Sequence, residues 1–271
     1  MWESALDGRR LRFHLAGINN QNFIMRDEET GTWWQQVNGR AILGPMKGRQ
    51  LKLIPADIVA FGVWKLDHPK GRVLAPDPAI EARGDEYARS DWERFMARRR
   101  VVTTLPKGSA FEPRTLVVGI HVNGHAKAYA LNDLRASRVL LDVIDDQPVL
   151  IVAADDGRSV RVFDRRIEGR AVEFAATPTS LPITSPDAGP ATPNAIVFHA
   201  PVLIDLDTAS EWDFAGRAIS GPLAGKTLTR LPHLLEYWFD WQTYWPKTEA
   251  YKPWRPTPKE VDRLEVPKPI S

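Results

Sequence analysis

Apolar and polar positions alternate along this chain with two different periods, and the changes between them mark its elements. Residues 7–15, DGRRLRFHL, open on an Asp-Gly turn and set Leu11, Phe13 and Leu15 on one side, the period of a half-buried strand. An Asn-rich bend leads to a short strand around Phe23 to Met25, a polar turn from Asp27 to Gly31, and a returning strand at Trp33 and Trp34. A further strand near Ala41 to Leu43 stops at Gly44-Pro45. From Pro55 the period lengthens, and Ile58, Phe61, Trp64 and Leu66 fit one face of a short helix closed by Pro69. Residues 77–114 keep neither period, apart from a short helix expected around Trp92 to Arg98, and read as a connection. Strands return at 116–131, folded on an Asn123-Gly124 turn, and at 139–144, 148–154 and 159–164. Residues 176–195, rich in Pro, Ser and Thr, predict an exposed loop. Between Pro232 and Pro246 the spacing of Leu234, Trp238, Trp241 and Trp245 predicts an amphipathic helix.

Much of this pattern is written twice. GRAILGPMKG at 39–48 recurs as GRAISGPLAG at 216–225, with seven of ten positions identical. The same offset of 177 residues relates Pro55 to Pro232, Trp64 to Trp241 and Pro69 to Pro246, and an offset of 178 relates Asp27 to Asp205, Thr30 to Thr208 and Trp34 to Trp212. DGRRLRF at 7–13 matches EGRAVEF at 168–174. A repeat of this length predicts two similar lobes, because each copy is a unit able to bury a core. The expected fold is therefore α+β and β-dominated. Two pseudo-repeated lobes, 1–76 and 115–254, each carry a small sheet and a short aromatic helix; 77–114 links them and 255–271 forms an extended tail. In copy two the segment 115–167 precedes the shared motif, whereas copy one has six residues there, so the first lobe reads as N-terminally incomplete.

Composition narrows the function more by exclusion than by indication. The 36 basic and 34 acidic residues leave a net charge of +2, which gives no ground for nucleic-acid binding. No apolar run approaches the roughly 20 residues of a membrane helix, so no direct membrane span is expected. With no cysteine in the chain, thiolate nucleophiles and Cys-ligated metals are excluded. The residues after Met1 lack the charged and apolar regions of a secretory signal.

Taken together, DGRRLRF, RDEETGTWWQQVNGRAILGPMKG, HPKGRVL, VVGIHVNGHAKAYAL, IDDQPVLIV, VRVFDRR and TASEWDFAGRAISGPLAGKTLTRLP resemble the prokaryotic family known as domain of unknown function 3179. The resemblance implies a mostly β fold and an exported or membrane-anchored protein on the extracytoplasmic (periplasmic) side, without a settled activity. Family members often carry a Cys-Pro-Leu-Cys-like element where this chain reads AADDGRS at 153–159, so chemistry resting on that cysteine pair is not expected here.

Neither a metal-ligand set nor a catalytic constellation emerges from the pattern. His121 and His125 flank a hairpin turn and read more plainly as two exposed histidines than as ligands, and Asp155-Asp156-Gly157 falls short of the oxygen count of a calcium loop. No metal, cofactor or catalytic residue is assigned. Ten tryptophans are the unusual feature, and adjacent Trp33 and Trp34 point to opposite faces of a strand, so one of them faces outward. With Asn19, Asn20, Asn22, Gln35 and Gln36 nearby, Trp33 and Trp34 mark the expected binding surface. The incomplete first lobe adds a partner edge at Leu11, Phe13 and Leu15. These features favour a non-catalytic binding or scaffolding protein, an accessory subunit contacting another polypeptide in a homo-oligomer or larger assembly. The alternatives are a hydrolytic enzyme with scattered polar groups and a carbohydrate-binding module using exposed tryptophan.

Overall fold

The computed structural model describes residues 1–19, 22–75, 77–82, 95, 98–183 and 198–253. The expected helix at 92–98 lies mostly outside these residues, as do Asn20 and the tail 255–271.

The architecture is α+β and strongly β-dominated. A hairpin of β1 (Ala5–Leu6) and β2 (Arg9–Arg10) precedes a four-stranded antiparallel sheet of β3 (Phe13–Asn19), β4 (Asn22–Asp27), β5 (Trp33–Gln35) and β6 (Ala41–Leu43), in that order. Helix α1 (Phe61–Asp67) and the single turn α2 (Pro78–Glu81) follow. Copy two begins with β7 (Leu116–Val122) and β8 (His125–Ala130), then α3 (Leu131–Ser137), β9 (Val139–Ile144), β10 (Gln147–Ala153) and β11 (Val160–Asp164). A hairpin of β12 (Arg166–Ile167) and β13 (Arg170–Ala171) leads to the sheet of β14 (Phe174–Ile183), β15 (Phe198–Asp205) and β16 (Glu211–Trp212). Last come β17 (Thr229–Arg230), β18 (His233–Tyr237), α4 (Trp238–Tyr244) and β19 (Glu249–Ala250). The order β17-β11-β10-β9 makes one further sheet and β18-β7-β8-β19 another.

Several expectations shift. Residues 176–183 of the expected loop are strand, paired through β14 with β15 across a register shift between Ala176 and Ser180. Leu234 belongs to strand rather than helix, because β18 finds a partner in β7, with Leu234 opposite Gly119, and sheet pairing overrides the helical spacing. The Asn123-Gly124 turn forms as expected, both residues at positive φ as a two-residue hairpin loop requires.

The duplication is visible bond by bond. Trp34 Nε1–H donates to the Asp27 carboxylate at 2.8 Å, and Trp212 Nε1–H to Asp205 at 3.0 Å. The Thr30 amide donates to Asp27 at 2.6 Å and the Thr208 amide to Asp205 at 2.7 Å. Burial would raise both carboxyls, but the hydrogen bonds from tryptophan, threonine and backbone prevail and hold them below the ordinary value. Phe13 meets Trp34 edge-on at 6.0 Å, and Phe174 meets Trp212 edge-on at 5.8 Å. Equivalence extends five residues ahead of DGRRLRF. Gly39 lies under the Trp2 ring and Gly216 under Phe163, and Trp2 bridges to Leu53 as Phe163 pairs with Arg230.

The two copies also share core. Val63 of α1 is buried among Leu150, Val152, Ala200 and Leu203 of copy two. Buried Arg161 of β11 anchors the same segment: its Nε–H donates to Asp57 at 2.9 Å, its other arm reaches Asp67, and its guanidinium stacks on Phe214 at 4.7 Å. Without a neighbour like β7, residues 56–60 form no strand, although β18 occupies the matching position of copy two.

Candidate functional site

The first sheet separates the chemistry of the chain onto two faces. Cross-strand pairing places Leu15 beside Met25 and Ile18 beside Phe23, so with Trp34 these share one face. Asn19 pairs with Asn22, Ile24 with Gln35 and Arg26 with Trp33, which puts these six on the other.

The first face is buried at one end only. Leu11, Trp34, Ala41 and Leu51 form a core with Trp2, Leu6, Phe13, Met25 and Met46 packed against it. Each has its counterpart in the larger core of copy two: Val172, Trp212, Ala218 and Leu228, with Phe163, Ile167, Phe174, Leu203 and Leu223. That larger core adds Leu150, Val152, Val139 and Leu141 from the sheet of β9 and β10, which covers the face of β14 and β15. Copy one has no such cover among the described residues. Phe23 is 43% exposed where its counterpart Pro201 is buried, Ile18 is 67% exposed and Leu15 60%.

The expected partner edge is thereby corrected in part. Leu11 is only 1% exposed, because the chain from Trp2 to Leu6 folds back over it and the Leu11 amide donates to the Ser4 carbonyl at 2.7 Å. Phe13 is half-buried against Trp34. Leu15 alone of the three is exposed, and it extends the bare face rather than an edge.

The second face brings Asn19, Asn22, Trp33 and Gln35 of the expected surface together. Trp34 does not join them: it is fully buried on the opposite face, its indole N–H held by Asp27, and it cannot contact a ligand. Trp33 lies half-buried across Gly17. Gln36 is exposed beyond β5, with its carbonyl accepting the Trp2 indole N–H at 2.5 Å. Against this face stands α4 of copy two, where the Asn22 amide donates to the Asp240 carboxylate.

Here the copies diverge in chemistry. Glu236 and Asp240 fall at the repeat positions of Val59 and Val63, so acids stand in copy two where copy one is apolar. Burial, with the Asp240 carboxylate adding to it, pushes the Glu236 carboxyl up to about 8. Tyr244, one turn beyond Asp240, is pushed up to about 12 by burial and then by Asp240 and Glu236. Periodicity alone passes over these acids; comparison of the two copies position by position exposes them.

Gln35 and Tyr244 also face a cavity of about 510 Å³ whose wall includes Asn19, Asn38, Arg40 and Lys47. A second space of about 420 Å³ shares Asn38, Arg40 and Tyr244 with it and runs on past Trp2, His121, His233 and Trp245. Burial lowers His233, and burial followed by the His125 charge lowers His121, so both imidazoles favour the neutral form. No group of three or more His, Asp or Glu side chains placed to hold a metal ion occurs among the described residues. Asp155 pairs with Arg138 and His199, and Asp156 accepts the Arg158 and Ser159 amides, so both acids of that turn have protein partners. No helix of the described residues is long and apolar enough to cross a membrane.

Duplicated β-rich units fused through a shared core, with one bare sheet face and one inter-copy cleft, define the class of this protein. The chain belongs to the family described as Protein of unknown function (DUF3179), whose model matches residues 1–248. No curated protein and no solved structure matches it.

Proposed function

We propose that this protein is a non-catalytic binding or scaffolding subunit that docks a second copy of itself through the bare face of its first sheet. The observation that carries this reading is the comparison of the two cores. All nine positions of the copy-one core have an apolar counterpart in copy two, where the same face is covered by a sheet bearing Val139, Leu141, Leu150 and Val152. A face built to be covered and left with Leu15, Ile18 and Phe23 in water is a docking surface. Two such faces related by a two-fold axis supply each other with what β9 and β10 supply in copy two, since aligned sheets pack face to face at about 10 Å. The cleft on the opposite face remains open in that arrangement.

Light scattering over a concentration series tests it. The wild-type chain is expected to be dimeric and Ile18→Lys monomeric, with an unchanged circular dichroism spectrum because Ile18 is exposed. A wild-type chain that stays monomeric up to the highest soluble concentration contradicts the reading.

A further inference from the structure

The inter-copy cleft carries chemistry that the docking face does not use. Gln35 is 2% exposed, its Nε2 has no hydrogen-bond partner among the described residues, and its side chain lines the 510 Å³ cavity. Tyr244 lines the same cavity, and its hydroxyl is likewise buried without a partner among the described residues. A buried donor left unmade costs roughly 1–3 kcal/mol, so two of them on one wall, contributed by different copies, indicate a site completed by a ligand. Arg40 and Lys47, which also line the cavity, are exposed and have no acidic partner among the described residues. The volume falls within the roughly 300–1,000 Å³ of small-molecule sites.

We infer that this cleft binds a small hydroxylated anion, a sugar carrying a carboxylate or phosphate, with its charge at Arg40 and Lys47 and its hydroxyls at Gln35 and Tyr244. The wall is rich in donors: the Gln35 amide, the Tyr244 hydroxyl, the Arg40 guanidinium and the Lys47 ammonium. Such a wall selects a ligand rich in acceptors. The orientation follows from the charges. Burial and then the Asp240 carboxylate disfavour ionisation of Tyr244, and that carboxylate disfavours a second anion at that end, so the ligand's negative group belongs with the two cations. The adjoining space past Trp2 and Trp245 provides aromatic surface for an apolar ring face.

Isothermal titration calorimetry of the full chain with glucuronic acid, glucose 6-phosphate, glucose and inorganic phosphate tests the assignment. At least one of the two acidic sugars is expected to bind saturably, at least tenfold tighter than glucose and than inorganic phosphate. Which of the two binds distinguishes carboxylate from phosphate as the recognised anion. Arg40→Gln combined with Lys47→Gln should bring the acidic sugar to the level of glucose. Tyr244→Phe should weaken acidic sugar and glucose by the same factor, with the melting temperature of each variant confirming that it is folded. Ile18→Lys, which tests the docking face, should leave the titration unchanged, so the two readings fail separately. No saturable binding of either acidic sugar, equal affinity for inorganic phosphate, or full affinity in the double cation variant would overturn the assignment.

Discussion

Val63 and Asp240 occupy the same position of the repeated helix, yet Val63 is buried in a core with Ala200 while Asp240 accepts a hydrogen bond from Asn22, the repeat counterpart of Ala200. Each copy's helix thus rests on the other copy's sheet, once through apolar and once through polar chemistry. Replacing both partners of a hydrogen bond by apolar groups of the same shape is nearly neutral or stabilising. Asn22→Ala with Asp240→Val, which copies the Val63 arrangement, should therefore retain or raise the denaturation midpoint. Asp240→Val alone leaves the Asn22 amide without its acceptor and should lower it. A double-mutant cycle in urea checks both signs.

Glu236 gives the stability of the fold a pH dependence of a definite sign. Its carboxyl lies at about 8 in the folded chain and near the ordinary value when unfolded, so the folded state holds the proton more tightly. Stability from this group is fully present below about pH 4, declines as pH rises, and is lost once pH passes about 8. Glu236→Gln should flatten that decline and melt higher than wild type at pH 8, with little difference at pH 4. Thermal melts across pH 4–9 measure it, and parallel curves for the two proteins would refute the assignment.

Asp27 and Asp205 make the opposite prediction. Both are held below the ordinary carboxylate value, so their contribution is present above about pH 4 and vanishes as pH falls through the folded-state value. Asp27→Ala strands the Trp34 indole N–H and Thr30 amide, and Asp205→Ala strands those of Trp212 and Thr208. Each variant should lose about 1–3 kcal/mol at pH 7 for each buried donor left unmade, and the deficit should shrink in acid. Guanidinium titrations at pH 7 and pH 3 compare the two.

Arg161 tests the junction between copies. Its guanidinium is buried between Asp57 and Asp67, so Arg161→Met removes the cation these acids share and leaves Asp57 with Arg230 alone and Asp67 with Arg217 at 3.9 Å. Breaking such a pair costs about 3–5 kcal/mol. Denaturant unfolding of the variant should show that loss, and a cost under about 1 kcal/mol would mean that Arg230 and Arg217 suffice to compensate these acids.

The repeat and the strand order were legible because hydrophobic alternation and the Gly-Pro turns survive in both copies. The existence of helix α1 and the core of α4 could be read for the same reason, but α1 buries Val63 and leaves the expected Ile58, Phe61 and Leu66 exposed, with Ile58 ahead of the helix. Leu234 fell into strand because its fate depends on β7, which lies more than a hundred residues earlier. Four of the surface residues expected from the Asn- and Gln-rich bend, Asn19, Asn22, Trp33 and Gln35, do share a face. Trp34 and Leu11 were misplaced for a common reason. A strand pattern tells which residues share a side but not which side is covered, and the cover over Leu11 comes from Trp2 and the first hairpin. The meeting of Tyr244 with Arg40 and Lys47 has no periodic signature, since it occurs only when the two copies are docked.

A photo-cross-linking amino acid at position 18 tests the docking face most directly. With the purified chain irradiated in solution, mass spectrometry is predicted to find intermolecular links from position 18 to residues 13–25 of a second copy, and none from the same probe placed at exposed Leu206. Irradiation that yields only monomer, or links from both positions alike, would contradict the account.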